Sequence, residues 1–105
     1  MTRRLQKAII SVQNVISVAK SEMANENSKW DKGVIEQVVL PEMQELYDHF
    51  IVGERYFKYK RKFGISRIWQ RRLQSVAYML DTLEKLSDTE LGQAIYDFQR
   101  IYDRL

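Results

Sequence analysis

Hydrophobic residues recur at three- and four-residue steps along most of the chain. From about residue 3 to residue 23 this spacing places them on one face of a helix. Four polar residues, 25–28, then interrupt the pattern and predict a loop. The residues of this first apolar face are Leu5, Ala8, Ile9, Val12, Val15, Ile16, Ala19 and Met23.

A second apolar stripe predicts a long helix that ends near Gly64. The only proline, Pro41, lies inside it. Proline lacks a backbone N–H and its ring clashes with the carbonyl four residues earlier. Either the helix continues through Pro41 with a kink, which the unbroken phase of the stripe favours, or a new helix begins at Pro41 after a short helical turn. The stripe consists of Ile35, Val39, Met43, Leu46, Phe50, Gly53 and Phe57.

Two further helices complete the pattern. The third is expected to begin after Ser66 and to end near Leu86. Ser87 and Glu90 match a capping box, which predicts that the fourth helix has Ser87 as its N-cap. Gly92, in its first turn, is expected to allow close packing between helices. The apolar face of the fourth helix consists of Leu91, Ala94, Ile95, Phe98, Ile101, Tyr102 and Leu105.

Four amphipathic helices with mostly short connections predict an all-α fold, an antiparallel up-down four-helix bundle. No segment alternates with a period of two, so a sheet is not expected. A chain of 105 residues is long enough for one domain and too short for two ordinary ones, so residues 1–105 are expected to form a single domain.

The positive charge is concentrated in the middle of the chain. The formal net charge is only +3, yet residues 55–80 contain eight of the 17 basic residues and no Asp or Glu. The remainder therefore carries more acidic than basic residues. Such an asymmetry bears on the binding partner and not on the fold.

An up-down bundle would place the junction between the second and third helices at the same end as both termini. That end would gather the middle cations with Lys7, Arg100 and Arg104. The opposite end would be acidic, with Glu22, Glu26, Asp31, Asp81, Glu84, Asp88 and Glu90. The residues that we predict to bind nucleic acid at the basic end are Arg3, Arg4, Arg55, Lys58, Arg61, Lys62, Arg67, Arg71 and Arg72.

A short segment resembles a known DNA-binding element. Residues 63–67 resemble the turn of helix-turn-helix DNA-binding proteins, and residues 71–73 resemble what often follows that turn. The resemblance covers about a tenth of the chain. Lys60 stands where the family usually has a small residue, and Gln70 where it usually has a buried aliphatic one.

Catalytic and metal-binding patterns are not recognisable in the sequence. There is no cysteine and only one histidine, His49. Glu42, Glu45 and His49 lie on neighbouring helical turns, but a di-iron bundle needs Glu-x-x-His on two helices, so we interpret them as a solvated helix face. The sequence therefore predicts a protein that is not an enzyme and has no cofactor. Without a signal peptide or a transmembrane stretch, a cytoplasmic location is expected.

Three hypotheses about function follow. The first is a small nucleic-acid-binding or regulatory protein of bacterial or phage type. The second is a protein–protein interaction module, such as an adaptor, an inhibitor or a bacteriocin-immunity-like protein, which would bind a partner or a second copy through a ridge formed by Val52, Tyr56, Tyr59 and Phe63. The third, peripheral membrane binding, is disfavoured because the basic segment lacks an apolar face clearly free of the core.

Overall fold

The computed structural model describes residues 3–52, 86 and 88–104. These residues are predominantly helical and include no strand, so the all-α prediction is confirmed for this part of the chain. Helix α1 spans Arg3–Ala24 and is followed by a turn. A short helix α2 (Lys32–Val34), a π-helical segment (Ile35–Val39) and helix α3 (Leu40–Val52) then follow without interruption, and α4 spans Glu90–Asp103.

The predicted apolar faces of the first, second and fourth helices form one core within the described residues, whereas the predicted third helix lies outside them. All three long helical stretches contribute residues to it, and the five predicted stripe residues from Ile35 to Phe50 are fully buried. Ile9, Ile16 and Met23 pack against its margin. Among the described residues, the buried hydrophobic ones are Leu5, Ala8, Val12, Val15, Ala19, Trp30, Ile35, Val39, Met43, Leu46, Phe50, Leu91, Ala94, Ile95, Phe98 and Tyr102.

The helix continues through Pro41, as the phase of the apolar stripe indicated. The backbone N–H of Leu40 donates to the carbonyl of Ile35, five residues back, which gives the turn before Pro41 its wider π-helical geometry. A normal helical turn would bring the proline ring against the carbonyl of Gln37. The extra residue in the turn relieves this clash.

The start of the second helical stretch is fixed by Asp31, the N-cap of α2. Its side-chain Oδ1 accepts a hydrogen bond from the backbone N–H of Gly33 at 2.8 Å. Trp30 and Ile35 occupy the two positions of a hydrophobic staple around this cap, and both are buried.

The fourth helix begins differently from the prediction. Its N-cap is Thr89, not Ser87: the Thr89 hydroxyl accepts from the backbone N–H of Gly92 at 3.0 Å and donates to the Leu86 carbonyl at 2.6 Å. A Cβ built at Gly92 would lie 2.1 Å from the Leu86 carbonyl oxygen. Gly92 is therefore required by the close approach of the Leu86 carbonyl in the turn that precedes its own helix.

Candidate anion-binding site at the chain ends

Helices α1 and α4 are antiparallel neighbours, which brings the two chain ends together. At one end the Arg4 guanidinium (Nη1) donates a long hydrogen bond of 3.5 Å to the backbone carbonyl of Arg104. At the other end the Trp30 indole N–H donates to the Thr89 hydroxyl at 2.9 Å. The pairing of the termini, on which the predicted basic end depends, is thus present in the described part of the molecule.

A recess of about 440 Å³ lies between these two helix ends. The described residues that line it are Arg4 and Lys7 from α1 and Ile101 and Arg104 from α4. Each helix contributes two residues three positions apart, so the recess extends about one helical turn along both helices. Three of the four side chains are cationic, and none of these four lining residues is a carboxylate.

Helix electrostatics explain only part of this arrangement. The first turn of α1 contains no acidic residue, although the positive end of the helix dipole favours anions there. Arg4 therefore lies at an unfavourable end of its own helix. Arg104 caps the C-terminus of α4, where a cation is favourable, and its carbonyl is one of the last four of that helix, which need outside partners. Arg4 supplies one such partner.

The predicted nucleic-acid-binding residues can be placed only in part. Arg3 and Arg4 are exposed on the first turn of α1, and Arg4 lines the recess. Lys7 and Arg104, expected at the basic end, line the recess as well. Ile101, assigned to the core from its helical phase, is only partly buried and forms the apolar wall of the recess. The predicted residues outside the described part of the chain are Arg55, Lys58, Arg61, Lys62, Arg67, Arg71 and Arg72.

The predicted interface ridge is also mostly outside the described residues. Val52 is the last residue of α3, but its side chain is not described, and Tyr56, Tyr59 and Phe63 lie beyond it. Next to Val52, the side chain of Ile51 is 49% exposed. The structure therefore leaves the ridge a prediction from the sequence.

Arg100 does not join the recess. Its guanidinium pairs with the carboxylate of Asp97, one turn earlier on α4, and both side chains are largely exposed. Arg100 lines a different depression on α4, with Gln93, Tyr96 and Gln99. The carboxylate of Asp97 therefore partly neutralises the charge of Arg100 at short range, so Arg100 contributes less to the basic end than its position in the sequence predicts.

The opposite end of the molecule has a different character. Glu22, Asp88 and Glu90, three of the residues predicted for the acidic end, line one recess of about 350 Å³ together with residues of the loop after α1. Several of its polar groups are held by hydrogen bonds: the Ser28 hydroxyl donates to Glu22 Oε1 at 2.5 Å and accepts from the backbone N–H of Trp30. Asp81 and Glu84 lie outside the described residues.

The interpretation of Glu42 and Glu45 as a solvated helix face needs a correction. Glu45 is exposed, but Glu42 is buried, with only 1% of its surface accessible. Glu42 lies three residues after Val39 and four before Leu46, both of which are fully buried, so regular helical spacing already places it on the apolar face of the helix. Within the described residues, no group of three or more potential metal-ligating side chains comes together.

Comparisons with known proteins add no family assignment. No protein-family model matches the chain, and neither a curated protein nor a solved structure is significantly similar to it. Among the described helices, none combines the length and the apolar character that crossing a bilayer requires.

Proposed function

We propose that this protein binds nucleic acid through its basic end. The observation that carries the proposal is the convergence of Arg4, Lys7 and Arg104 on one recess whose described lining contains no carboxylate. The positive charges of these side chains repel one another. A bound anion attracts each of them and so offsets this repulsion. Phosphates of a nucleic-acid backbone supply such anions in a regular row.

The packing of the helices supports a four-helix bundle. Helix α1 packs extensively against α4 on one side and against α3 and the π-helical segment on the other, whereas α3 and α4 make at most marginal backbone contact. In an up-down bundle the first helix is adjacent to the second and fourth, which lie diagonally opposite each other. A third helix, formed after residue 66, would fill the remaining corner.

This architecture would enlarge the basic end. Helix α3 runs back along α1, so its C-terminal end points towards the chain termini. The segment that continues from it carries Arg55, Lys58, Arg61 and Lys62, and the next helix would begin with Arg67, Arg71 and Arg72. These cations would extend the positive surface from the recess across the end of the bundle, over more phosphates than the recess alone can contact.

Fluorescence anisotropy with labelled single-stranded and duplex DNA tests the proposal. The logarithm of the binding constant should fall linearly with the logarithm of the salt concentration, because each phosphate contact releases counterions. Lys7→Gln and Arg104→Gln should each reduce the slope by about 0.7 to 0.9. Lys20→Gln makes the same change of charge on the exposed surface of α1, away from the recess, and serves as the matched control.

Affinity that does not change with salt would contradict the proposal. An equal effect of Lys20→Gln and Lys7→Gln would show that net charge matters and that the recess does not. If no DNA binds, the protein–protein module becomes the leading hypothesis, and sedimentation with substitutions of Tyr56 and Tyr59 then tests the ridge.

A further inference from the structure

We infer that the recess between α1 and α4 takes a phosphomonoester of a nucleotide, so that it holds the phosphorylated end of a nucleic-acid strand and not a diester in its middle. This inference rests on the proposed function, because it assigns the ligand of the same site. Three features of the recess carry it: its size, its charge and its apolar wall.

The size of the recess fits one nucleotide. Its volume of about 440 Å³ lies in the lower part of the range of small-molecule sites, about 300 to 1,000 Å³. A duplex is too wide to enter a space of this size and could contact only its rim. An internal nucleotide of a single strand has a chain leaving on both sides, whereas a strand end leaves on one side and can enter a recess between two helix ends.

The charge fits a monoester better than a diester. A terminal phosphate carries about −1.5 to −2 at neutral pH and offers three acceptor oxygens, while an internal diester carries one negative charge. Arg4, Lys7 and Arg104 bring three cationic groups to the recess. Both arginines can bind phosphate oxygens in the paired geometry that a guanidinium favours, and Lys7 adds a point charge about one turn further along α1.

The apolar wall distinguishes a nucleotide from a bare phosphate. Ile101 lies about one turn from Arg104 on α4, is only partly buried and belongs to the margin of the core. Its side chain offers apolar surface to the sugar or the base, and inorganic phosphate has nothing to place there. The shared chemistry is therefore a phosphomonoester next to a less polar group, which both a strand end and a free nucleotide possess.

The test uses one single-stranded DNA sequence in three forms, with a phosphate at the 5′ end, at the 3′ end or at neither, labelled at an internal position. At least one phosphorylated form should bind roughly tenfold more tightly than the unphosphorylated one. Lys7→Gln and Arg104→Gln should each remove most of this preference. Lys20→Gln should retain it.

Competition then identifies the source of the phosphomonoester. A nucleoside monophosphate that displaces the phosphorylated strand shows that the nucleotide unit suffices, while displacement by phosphorylated strands alone shows that the strand adds contacts. Both results support the inference. Inorganic phosphate that competes as well as the nucleotide would overturn the role of Ile101 and with it the nucleotide assignment.

The two proposals fail in different ways. Equal, salt-dependent binding of all three strands would overturn the inference and leave the proposed function standing. If none of the strands binds, both proposals are wrong. A preference for the phosphorylated end that survives in Lys7→Gln and Arg104→Gln would place the responsible site elsewhere and overturn the assignment to this recess.

Discussion

The two ends of the α1–α4 pair use polar residues for different purposes. At the loop end, polar groups are joined to one another: Thr89 links Trp30, Leu86 and Gly92, and Ser28 links Glu22 to the backbone of Trp30. At the terminal end, three cations line a recess, and one of them, Arg4, donates a long hydrogen bond to the Arg104 carbonyl.

Hydrogen bonds that satisfy buried or capping groups contribute to folding, and exposed charges of one sign do not. The loop end is therefore explained by the stability of the fold. The terminal end is only partly explained in this way, which is why we propose that this end binds the ligand. Substitutions at the loop end should change stability and leave binding intact, and substitutions at the terminal end should do the opposite.

The largest effect is expected for Gly92→Ala. The added methyl group would lie 2.1 Å from the Leu86 carbonyl oxygen, so the turn before α4 must move. Alanine normally stabilises a helix relative to glycine by about 0.8 to 1 kcal/mol, but here we expect a loss of about 2 kcal/mol in the free energy of unfolding, measured by urea denaturation. DNA binding by the folded fraction should not change.

Gly33→Ala is the matched control for that substitution. Its Cβ would lie 3.1 Å from Asp31 Oδ1, an atom of a side chain that can adjust. Its stability should stay within about 0.5 kcal/mol of the parent protein. If Gly92→Ala is equally harmless, the turn at Leu86 is not the rigid element that distinguishes the loop end.

Thr89→Val should have the next largest effect. Valine has nearly the same shape as threonine but cannot accept from Gly92 or Trp30, nor donate to Leu86. We expect a loss of about 1 to 2 kcal/mol in the free energy of unfolding. Thr89→Ser keeps the hydroxyl and should recover most of it, and a serine variant as unstable as the valine variant would mean that packing matters and the hydrogen bonds do not.

Thr89 also shows how far the sequence could predict this structure. Within the described residues, the apolar periods correctly predicted the first and fourth helices, the described part of the second, and most of the core, since burial of a face depends mainly on spacing. The choice of cap was wrong because Ser87 and Thr89 both suit an N-cap, and the decision depends on Trp30, 59 positions away along the chain. A buried tryptophan next to Asp31 was a usable signal, since it matches a hydrophobic staple.

The candidate site could be predicted in outline only. That both termini lie at one end follows from the topology, and Arg4, Lys7 and Arg104 were expected there. The recess itself depends on how α1 and α4 are rotated about their axes, which turns Ile101 partly out of the core. The pairing of Arg100 with Asp97 depends on side-chain conformation, and helical spacing permits such a pair without requiring it.

The two cations of α1 should behave differently from each other. Lys7→Gln should weaken DNA binding and leave the free energy of unfolding unchanged within about 0.5 kcal/mol. Arg4→Gln should weaken binding similarly and also lower the free energy of unfolding by about 0.5 to 1 kcal/mol, because the Arg104 carbonyl loses a partner. Thermal unfolding followed by calorimetry measures the effect on stability, and fluorescence anisotropy on the same samples measures the effect on DNA binding. A large loss of stability in Lys7→Gln would contradict the division between the two ends.

The smallest effect, and the finest test of the terminal end, is expected for Asp97→Asn. The substitution removes the carboxylate that pairs with Arg100 on the exposed surface of α4. Stability should change by less than about 0.5 kcal/mol, because an exposed ion pair contributes little.

Since Arg100 lies outside the recess, the effect of Asp97→Asn on DNA binding separates two models of the terminal end. If all cations at the terminal end attract DNA through their summed electrostatic field, DNA binding should tighten about twofold at low salt. This gain should vanish at high salt, where the field is screened. If the recess alone recognises the ligand, the affinity should stay constant. Glu26→Gln, which makes the same change of charge in the loop at the opposite end, is the control. Equal tightening by both variants would show that the response follows the total charge of the protein and would remove the distinction between its two ends.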